Sequence, residues 1–532
     1  MNASPHAPDL SALPAPPVSA CRLLVIGLDA AEPSLLRRWT ATGKLPALAA
    51  LMEGGIVRPI ALEPGLYTGS VWPSLFTGRS AGTHGRYNNL QLVAGSYRER
   101  RFDPAMLGAD PFWLRFPEAG LRALLFDLPK MPVSAGAGSL LVRDWGCHDA
   151  EGPLATVPKA LAEEIRDVGG CDPVGSCDSF DDRSPRRERL TAALCERVRR
   201  RTELALHLLG KGPFDLAFFA FSETHCGGHH LWRAHHAAEA AGTGDDPAAN
   251  PYLQLCQAID AAIARIVARV GVSVPVLVLA SHGMGDHFDA THLLDRALRR
   301  LDLDTDRPGF WRGAAAALYR LRAPLPRGLR HRLDPAILAL AQRALARDRA
   351  GRRWFQVATN DNAAGVRLNL VGREPRGLIP ADEAEAAREF LRARLLALRN
   401  ADTGEPAFAD VVDRHKAFSG GRSDDLPDLV LLWNQSREFT GLAAPWCGEL
   451  RGRFRGRRVG DHRAEGMLIA GAPGLRPDRQ QEPVPVMAVA PTICAALGLR
   501  DAVFDAPPLT EFVTAVRDAR GAQRQRHPAN AR

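Results

Sequence analysis

Lysine is nearly absent. The chain of 532 residues holds only Lys44, Lys130, Lys159, Lys211 and Lys416, and its other cationic side chains are arginines or histidines. The formal charge of +8 thus comes from arginines scattered along the chain, not from a basic stripe or patch, and nucleic-acid binding is not indicated. Paired cysteines are missing as well: nine are present, an odd number with no Cys-x-x-Cys. That argues against a disulfide framework and a cysteine-rich zinc knuckle, and the expectation is reduced thiols in a cytoplasmic protein. No apolar run reaches the ~18 residues of a membrane span. Residues 1–20, rich in Pro and Ala, lack the basic start and apolar core of a signal peptide and read as a disordered lead.

What is present is a repeating unit. "CRLLVIGLDAAEPSLLRRW" reads as a strand ending at Asp29, a loop, and a helix opening at Glu32 and Pro33. Similar apolar runs follow in "LRALLFDLP" (121–129), "FDLAFFAFSE" (214–223), "VPVLVLASHGMG" (274–285) and "LPDLVLLWN" (426–434). Short continuous apolar strands alternating with helices predict an α/β fold, a mainly parallel central sheet covered by helices on both faces. In such folds the chemistry sits beyond the carboxyl ends of the strands. Residues 21–510 form the expected domain. The Arg/Leu/Ala-rich stretch at 295–353 reads as a helical insertion packed over the sheet, and 511–532 as a basic, disordered tail.

Five stretches carry chemistry at predicted strand or helix ends. Asp29 closes the first strand, where an acidic residue serves either as a helix cap or as a functional carboxylate. "YTGSVWPSLFTGRSAGTHG" (67–85) gathers hydroxyls at a turn-to-helix junction, where free amides and the helix dipole favour an alkoxide and an incoming phosphate. "SETHCGGHHLW" (222–232) puts His225 and His229 four apart, on one face if helical. Gly227 and Gly228 cost a helix about 1 kcal/mol each, so a loop is an equal alternative. His-x-x-x-His also suits zinc. "SHGMGDHFDATH" adds His282, Asp286 and His287, and "GDHRAEGMLIAGAPG" adds His462. His148 and Asp149 follow another strand and are candidates to line the pocket. Glu223, His230, His235 and His236 are candidates to orient ligands, and Arg373 to reach a substrate phosphate unless it is held by Glu374.

In order and spacing these segments, with "GKLPALAALMEGG", "RLNLVGREPRG", "LPDLVLLW" and "APTICAALGL", resemble the alkaline phosphatase superfamily, in its branch of type I phosphodiesterases and nucleotide pyrophosphatases. The resemblance runs from about residue 21 to residue 500. It implies an alkaline-phosphatase-like fold and two zinc ions beside a Thr or Ser nucleophile, with Thr68, ten residues before Gly78, preferred over Ser70 and Ser74. It implies His225, His229 and His462 at one metal site, and Asp29, His282 and Thr68 at the other. The implied function is metal-dependent hydrolysis of a small phosphate ester, foremost a phosphodiester. The alternatives are a non-catalytic binding protein, or a phosphomonoesterase, phosphotransferase or sulfatase of the same superfamily.

Three departures stand out. His225 occupies the place of an aspartate, Ser281 that of a second, and Val71 that of a phosphate-binding asparagine. The second site is thereby left to bind its ion weakly, to recruit Asp286 or His287, or to stay empty, so the expected complement is one or two Zn²⁺ ions, with another divalent metal as the alternative.

Overall fold

The computed structural model describes residues 21–177, 184–288, 290–305, 307–322, 327–360, 362–454, 456–478, 482–499 and 503–526. The expected lead at 1–20 lies outside them.

The first apolar run forms the strand Cys21–Leu28 near the middle of a nine-stranded sheet. In spatial order the sheet reads Val484–Pro485, Ile56–Ala61, Gly466–Gly471, Val276–Ala280, Cys21–Leu28, Phe214–Phe221, Ala123–Phe126, Leu140–Arg143 and Ala155–Val157. The five strands from Val276–Ala280 to Leu140–Arg143 are parallel, while Gly466–Gly471 and Ala155–Val157 run antiparallel to their neighbours. The run is apolar throughout because both faces are covered. Leu24, Ile26 and Leu28 pack with Leu35, Trp39, Leu231 and Ile259 on one side. Leu23 and Val25 pack with Val71, Trp72, Leu75 and Ile493 on the other.

Register fixes where the chemistry can lie. Leu28 pairs with Phe221 on one side and Ala280 on the other, so three parallel strands end level. Asp29, Ser222 and Ser281 therefore emerge side by side at the carboxyl edge.

The run at 426–434 departs from the expected arrangement. Its strand, Leu429–Trp433, belongs to a separate antiparallel sheet with Trp354–Val357, Ala363–Leu368 and Phe408–Asp413. A buried apolar run reports burial on two faces but not the sheet it joins. The insertion forms helices Thr291–Leu303, Phe310–Arg322 and Arg327–Ala350. The first of these buries Leu293, Leu294, Ala297 and Leu298 in the core of this smaller sheet and not over the nine-stranded one.

The expected disordered tail is corrected as well. Thr510–Arg526 is a helix whose Phe512 and Val516 are buried against Ile493 and Leu497, and residues 527–532 lie outside the described ones. Two apolar residues four apart provide enough of a face to dock a segment that reads as basic by composition. Among the described residues no helix is long and apolar enough to cross a membrane.

The histidine stretch is helical, Glu223–Ala240, and both glycines lie inside it. A Cβ at Gly227 would lie 2.6 Å from Leu255 Cδ2, and one at Gly228 2.6 Å from Met284. The propensity cost permits close approach of the neighbouring helix Pro251–Val270 and of the short strand Gly283–Asp286. That strand pairs antiparallel with Gly460–Arg463, placing Met284 opposite His462. Gly460 itself meets the histidine helix, where an added Cβ would come within 2.1 Å of the Gly228 carbonyl oxygen. Because the obstacle is backbone, Gly460→Ala is expected to destabilise the fold by about 1–3 kcal/mol, read as a lower denaturant midpoint. An unchanged midpoint would show that this contact is not tight.

Candidate metal centre

Four imidazoles meet above the level strand ends. His225 and His229 project from one face of the histidine helix, His282 follows Ser281, and His462 lies on the strand Gly460–Arg463. All four are buried. Ring centroids of His462 lie 4.7 Å from those of His225, His229 and His282. Donor atoms of Asp29, His225 and His282 all lie within 4.8 Å of one another, as do those of His148, His225 and His229.

Hydrogen bonds fix the tautomers, because carboxylate and carbonyl oxygens only accept. His225 Nδ1 donates to Asp29 Oδ2 at 2.7 Å, and His229 Nδ1 donates to the Gly460 carbonyl at 2.9 Å. With both Nδ1 protons committed, the two Nε2 atoms present lone pairs to each other at 3.1 Å.

A second chain of bonds also leads to Asp29. The Ser281 hydroxyl donates to Asp29 Oδ1 at 3.1 Å and so accepts from His282 Nδ1 at 3.0 Å. This leaves His282 Nε2 to accept from His462 Nδ1 at 3.1 Å and frees His462 Nε2. Trp72 Nε1 also donates to Asp29 Oδ1, at 2.7 Å.

The electrostatics agree with this assignment. Burial is the largest influence on Asp29 and works against its charge, yet His225, His282 and Lys130 hold the carboxyl well below the usual range. Burial pushes all four imidazoles down, against the pull of Asp29 on His225 and His282. For His229 and His462, neighbouring imidazoles and Arg458 push further, and His282 falls to about 3. Neutral imidazoles with facing lone pairs fit a bound cation. A tetrahedral Zn²⁺ with Zn–N of 2.0–2.1 Å would hold neighbouring nitrogens about 3.3 Å apart.

Thr68 is the second residue of the buried helix Tyr67–Thr77. Its hydroxyl donates to Asn362 Oδ1 at 2.7 Å and accepts from Asn360 Nδ2, and its carbonyl accepts from Lys130 Nζ at 2.6 Å. The helix is tied to the centre by Trp72 and by Tyr67, whose ring lies 5.7 Å from that of His282. Ser70 is fully buried. Ser74 gives its proton to Glu63 Oε2, while the Arg86 amide occupies His84 Nδ1, so His84 cannot act as a base toward Ser74.

The other expected residues divide. His148 joins the cluster, its ring 3.9 Å from that of His225, with Asp149 Oδ1 3.5 Å from its Nε2. Asp286 and His287 stay outside. Asp286 faces His236 at 3.0 Å, and His287 faces Asp461 at 3.0 Å and stacks on Phe454. Both instead line a cavity of about 1140 Å³ with Arg233, Arg457, Arg458 and Arg463. Glu223 pairs with Arg201, and His235 bonds Asn250. His230 is buried with its ring 6.4 Å from that of His229. Arg373 is held by Asp428 at 2.7 Å and by Glu374 at 2.9 Å, as an internal ion pair.

Sequence reading missed Lys130, Asn360 and Asn362, which lie outside the quoted motifs, and Trp72, which lies inside one of them among the hydroxyl residues that drew the attention. Only "LPK", directly after a predicted strand, offered a signal for Lys130.

A model of the family "Type I phosphodiesterase / nucleotide pyrophosphatase" matches residues 23–445, most of the chain, and the chain belongs to that family within the alkaline phosphatase superfamily. His462 lies beyond the matched span. Phosphonoacetate hydrolase from Sinorhizobium meliloti 1021, solved with phosphonoacetate, is similar at 15% identity, with 94% of this chain and 97% of that chain covered and a TM-score of 0.52. Human ectonucleotide pyrophosphatase/phosphodiesterase 5 aligns at 12% identity over 94% of this chain and 99% of that one, with a TM-score of 0.48. No curated protein sequence matches.

The depressed imidazoles give a pH prediction for chelator-treated protein. His282 and the buried His84 both fall to about 3. Folded protein then binds fewer protons than unfolded chain, so stability is lost as pH falls below the unfolded value of about 6.5. Thermal melts are expected to move down steadily from about pH 7 to about pH 4, and a flat profile would contradict the assignment.

Proposed function

We propose that this member of the type I phosphodiesterase / nucleotide pyrophosphatase family hydrolyses a small phosphodiester, with Thr68 as nucleophile and one zinc ion at the histidine centre held by His225, His229 and His462. The observation that carries this reading is the pair of Nε2 lone pairs facing each other at 3.1 Å, with both Nδ1 protons already committed. Three neutral imidazoles and an open position are the donor set of catalytic zinc. Bound there, the ion would supply Lewis acidity and lower the pKa of an adjacent hydroxyl or water.

Asp29 serves this centre as an orienting group. It aims His225 directly, and through Ser281 and His282 it turns Nε2 of His462 free. A serine at 281 can relay in this way because it both donates and accepts, which an ionised aspartate cannot do. Charge balance points the same way. Histidine and serine in place of two aspartates remove two negative charges, so one divalent ion restores the balance for which the family employs two.

The remaining parts come from the chain itself. Thr68 lies at a helix amino terminus, where the helix dipole favours negative charge on its oxygen and on an incoming phosphate. Asn362 Oδ1 accepts a hydrogen bond from the Thr68 hydroxyl in the resting state, and Asn360 donates to its oxygen. Lys130, buried beside it, supplies a fixed positive charge for the developing anion. Val71, in the place of the phosphate-binding asparagine, is core, and the two amides reach the nucleophile from another segment. The cavity lined by Arg233, Arg457, Arg458 and Arg463, the last of these next to His462 in the chain, would raise the local concentration of anionic esters.

Thr68→Ala is expected to lower hydrolysis of an aryl phosphodiester at least about a thousandfold while leaving zinc content unchanged. His462→Ala should lose both the activity and one ion. A Thr68→Ala protein at full rate, or wild-type protein that takes up no zinc, would overturn the reading. Parallel assays on phosphomonoester and sulfate esters decide the ester class. Ser281→Ala removes no ligand but breaks the relay, so zinc affinity at this centre is expected to drop about 10–100-fold in a competition titration. No change there would rule out the relay.

A further inference from the structure

A second group of donors lies against the first and has no part in the mechanism above. Cys226 follows His225 in the histidine helix, and its Sγ lies 3.3 Å from His148 Nδ1. Cys177 reaches the same nitrogen from a loop, with Sγ at 3.1 Å. The three donor atoms all lie within 4.8 Å of one another, and all three residues are buried. We propose that His148, Cys177 and Cys226 form a separate binding site for a thiophilic divalent cation, with Zn²⁺ as its ordinary occupant.

The donor chemistry selects such an ion. Two sulfurs and an imidazole nitrogen suit Zn²⁺ and disfavour Mg²⁺ or Ca²⁺, which take oxygen. With Zn–S of about 2.3 Å and Zn–N of 2.0–2.1 Å, tetrahedral coordination sets sulfur and nitrogen about 3.5 Å apart, close to the spacing found. Asp149 Oδ1, 3.5 Å from His148 Nε2, favours a proton on that nitrogen, so that a bound cation would take the place of any Nδ1 proton facing the sulfurs.

The surroundings are built to hold this arrangement. Asp172 accepts from the amides of Val174 and Gly175 at 3.0 and 2.9 Å, shaping the loop that leads to Cys177. Arg197 grips that carboxylate with two bonds of 2.7 Å and sets its remaining Nη1 3.7 Å from Cys226 Sγ. The guanidinium thus fastens the loop and compensates the charge of two metal-bound thiolates. Other buried cysteines are placed differently. Cys21 and Cys494 pack within the apolar cores, where burial pushes their thiols up to about 12. Occupied, the site would join the Cys177 loop to the histidine helix and fix the His148 ring against His225.

The test reads sulfur, which the three-imidazole centre lacks, so the two readings fail separately. Full-length protein purified under reducing conditions and saturated with Zn²⁺ is examined by zinc-edge X-ray absorption. Sulfur scatterers at about 2.3 Å are expected beside the nitrogen shell. In Co²⁺-loaded protein a thiolate-to-metal charge-transfer band is expected, lost in Cys177→Ser/Cys226→Ser together with one bound ion per chain. His229→Ala is expected to keep that band. Only nitrogen and oxygen scatterers in the saturated wild-type protein would overturn the proposal, as would a Cys177–Cys226 disulfide in the reduced preparation. The wild-type spectrum decides even if the double variant fails to fold.

Discussion

Two imidazole nitrogens that both carry lone pairs face each other at 3.1 Å in a buried site, and the rest of the centre follows from that confrontation. Each proton that could have softened it is held elsewhere, on Asp29 for His225 and on the Gly460 carbonyl for His229. Burial makes an imidazolium costly, so a proton is a poor substitute for a metal ion between them. Asp29 thereby becomes the keystone. One buried carboxylate accepts from His225, Trp72 and Ser281, and its own charge is sustained by the polar groups around it. Without those donors, a carboxylate so deeply buried would be protonated and could not orient His225.

The backbone makes the arrangement possible through contact distances that side chains would forbid. Gly228 and Gly460 let a helix and a strand touch, and that contact carries the bond from His229 to Gly460 and the return bond from the Val459 amide to the His229 carbonyl at 2.8 Å. A glycine pair inside a helix weakens it locally, and packing against Tyr252, Leu255 and Met284 offsets the loss. The level ends of three parallel strands do the rest. They bring Asp29, Ser222 and Ser281 together, although some 250 residues of chain separate the first from the last.

Much of this was legible in the sequence, and unevenly so. Four apolar runs identified the strands at 21–28, 123–126, 214–221 and 276–280 because a doubly covered strand has no polar side to confuse the pattern. The same logic misassigned 426–434, since a strand in a small antiparallel sheet covered on both faces looks identical. The helix Thr510–Arg526 was hidden by arginine-rich composition, although Phe512 and Val516 hold it in the core. His225, His229, His282 and His462 were identifiable as site candidates from motif order, and the structure brings them together. Asp286 and His287, close to His282 in sequence, point to the arginine-lined cavity instead.

The sequence by itself determined the residue types and the order in which strands deliver them: an acid after the first strand, a hydroxyl at a helix start, and histidines after three later elements. Those are local properties, set by periodicity and by which residues follow an apolar run. Only the tertiary structure decided which partners each group meets. Whether Asp29 ligates or orients depends on which donors reach its two oxygens, and those come from Trp72, His225 and Ser281, on three other elements. Whether Ser281 is a lost ligand or a relay depends on a neighbour 252 positions away in the chain. Likewise, the convergence of His148, Cys177 and Cys226 has no trace in their spacing, because it is made by a loop folding over a helix. Hydrogen-bond direction is a property of pairs, and pairs so distant in the chain exist only once it has folded.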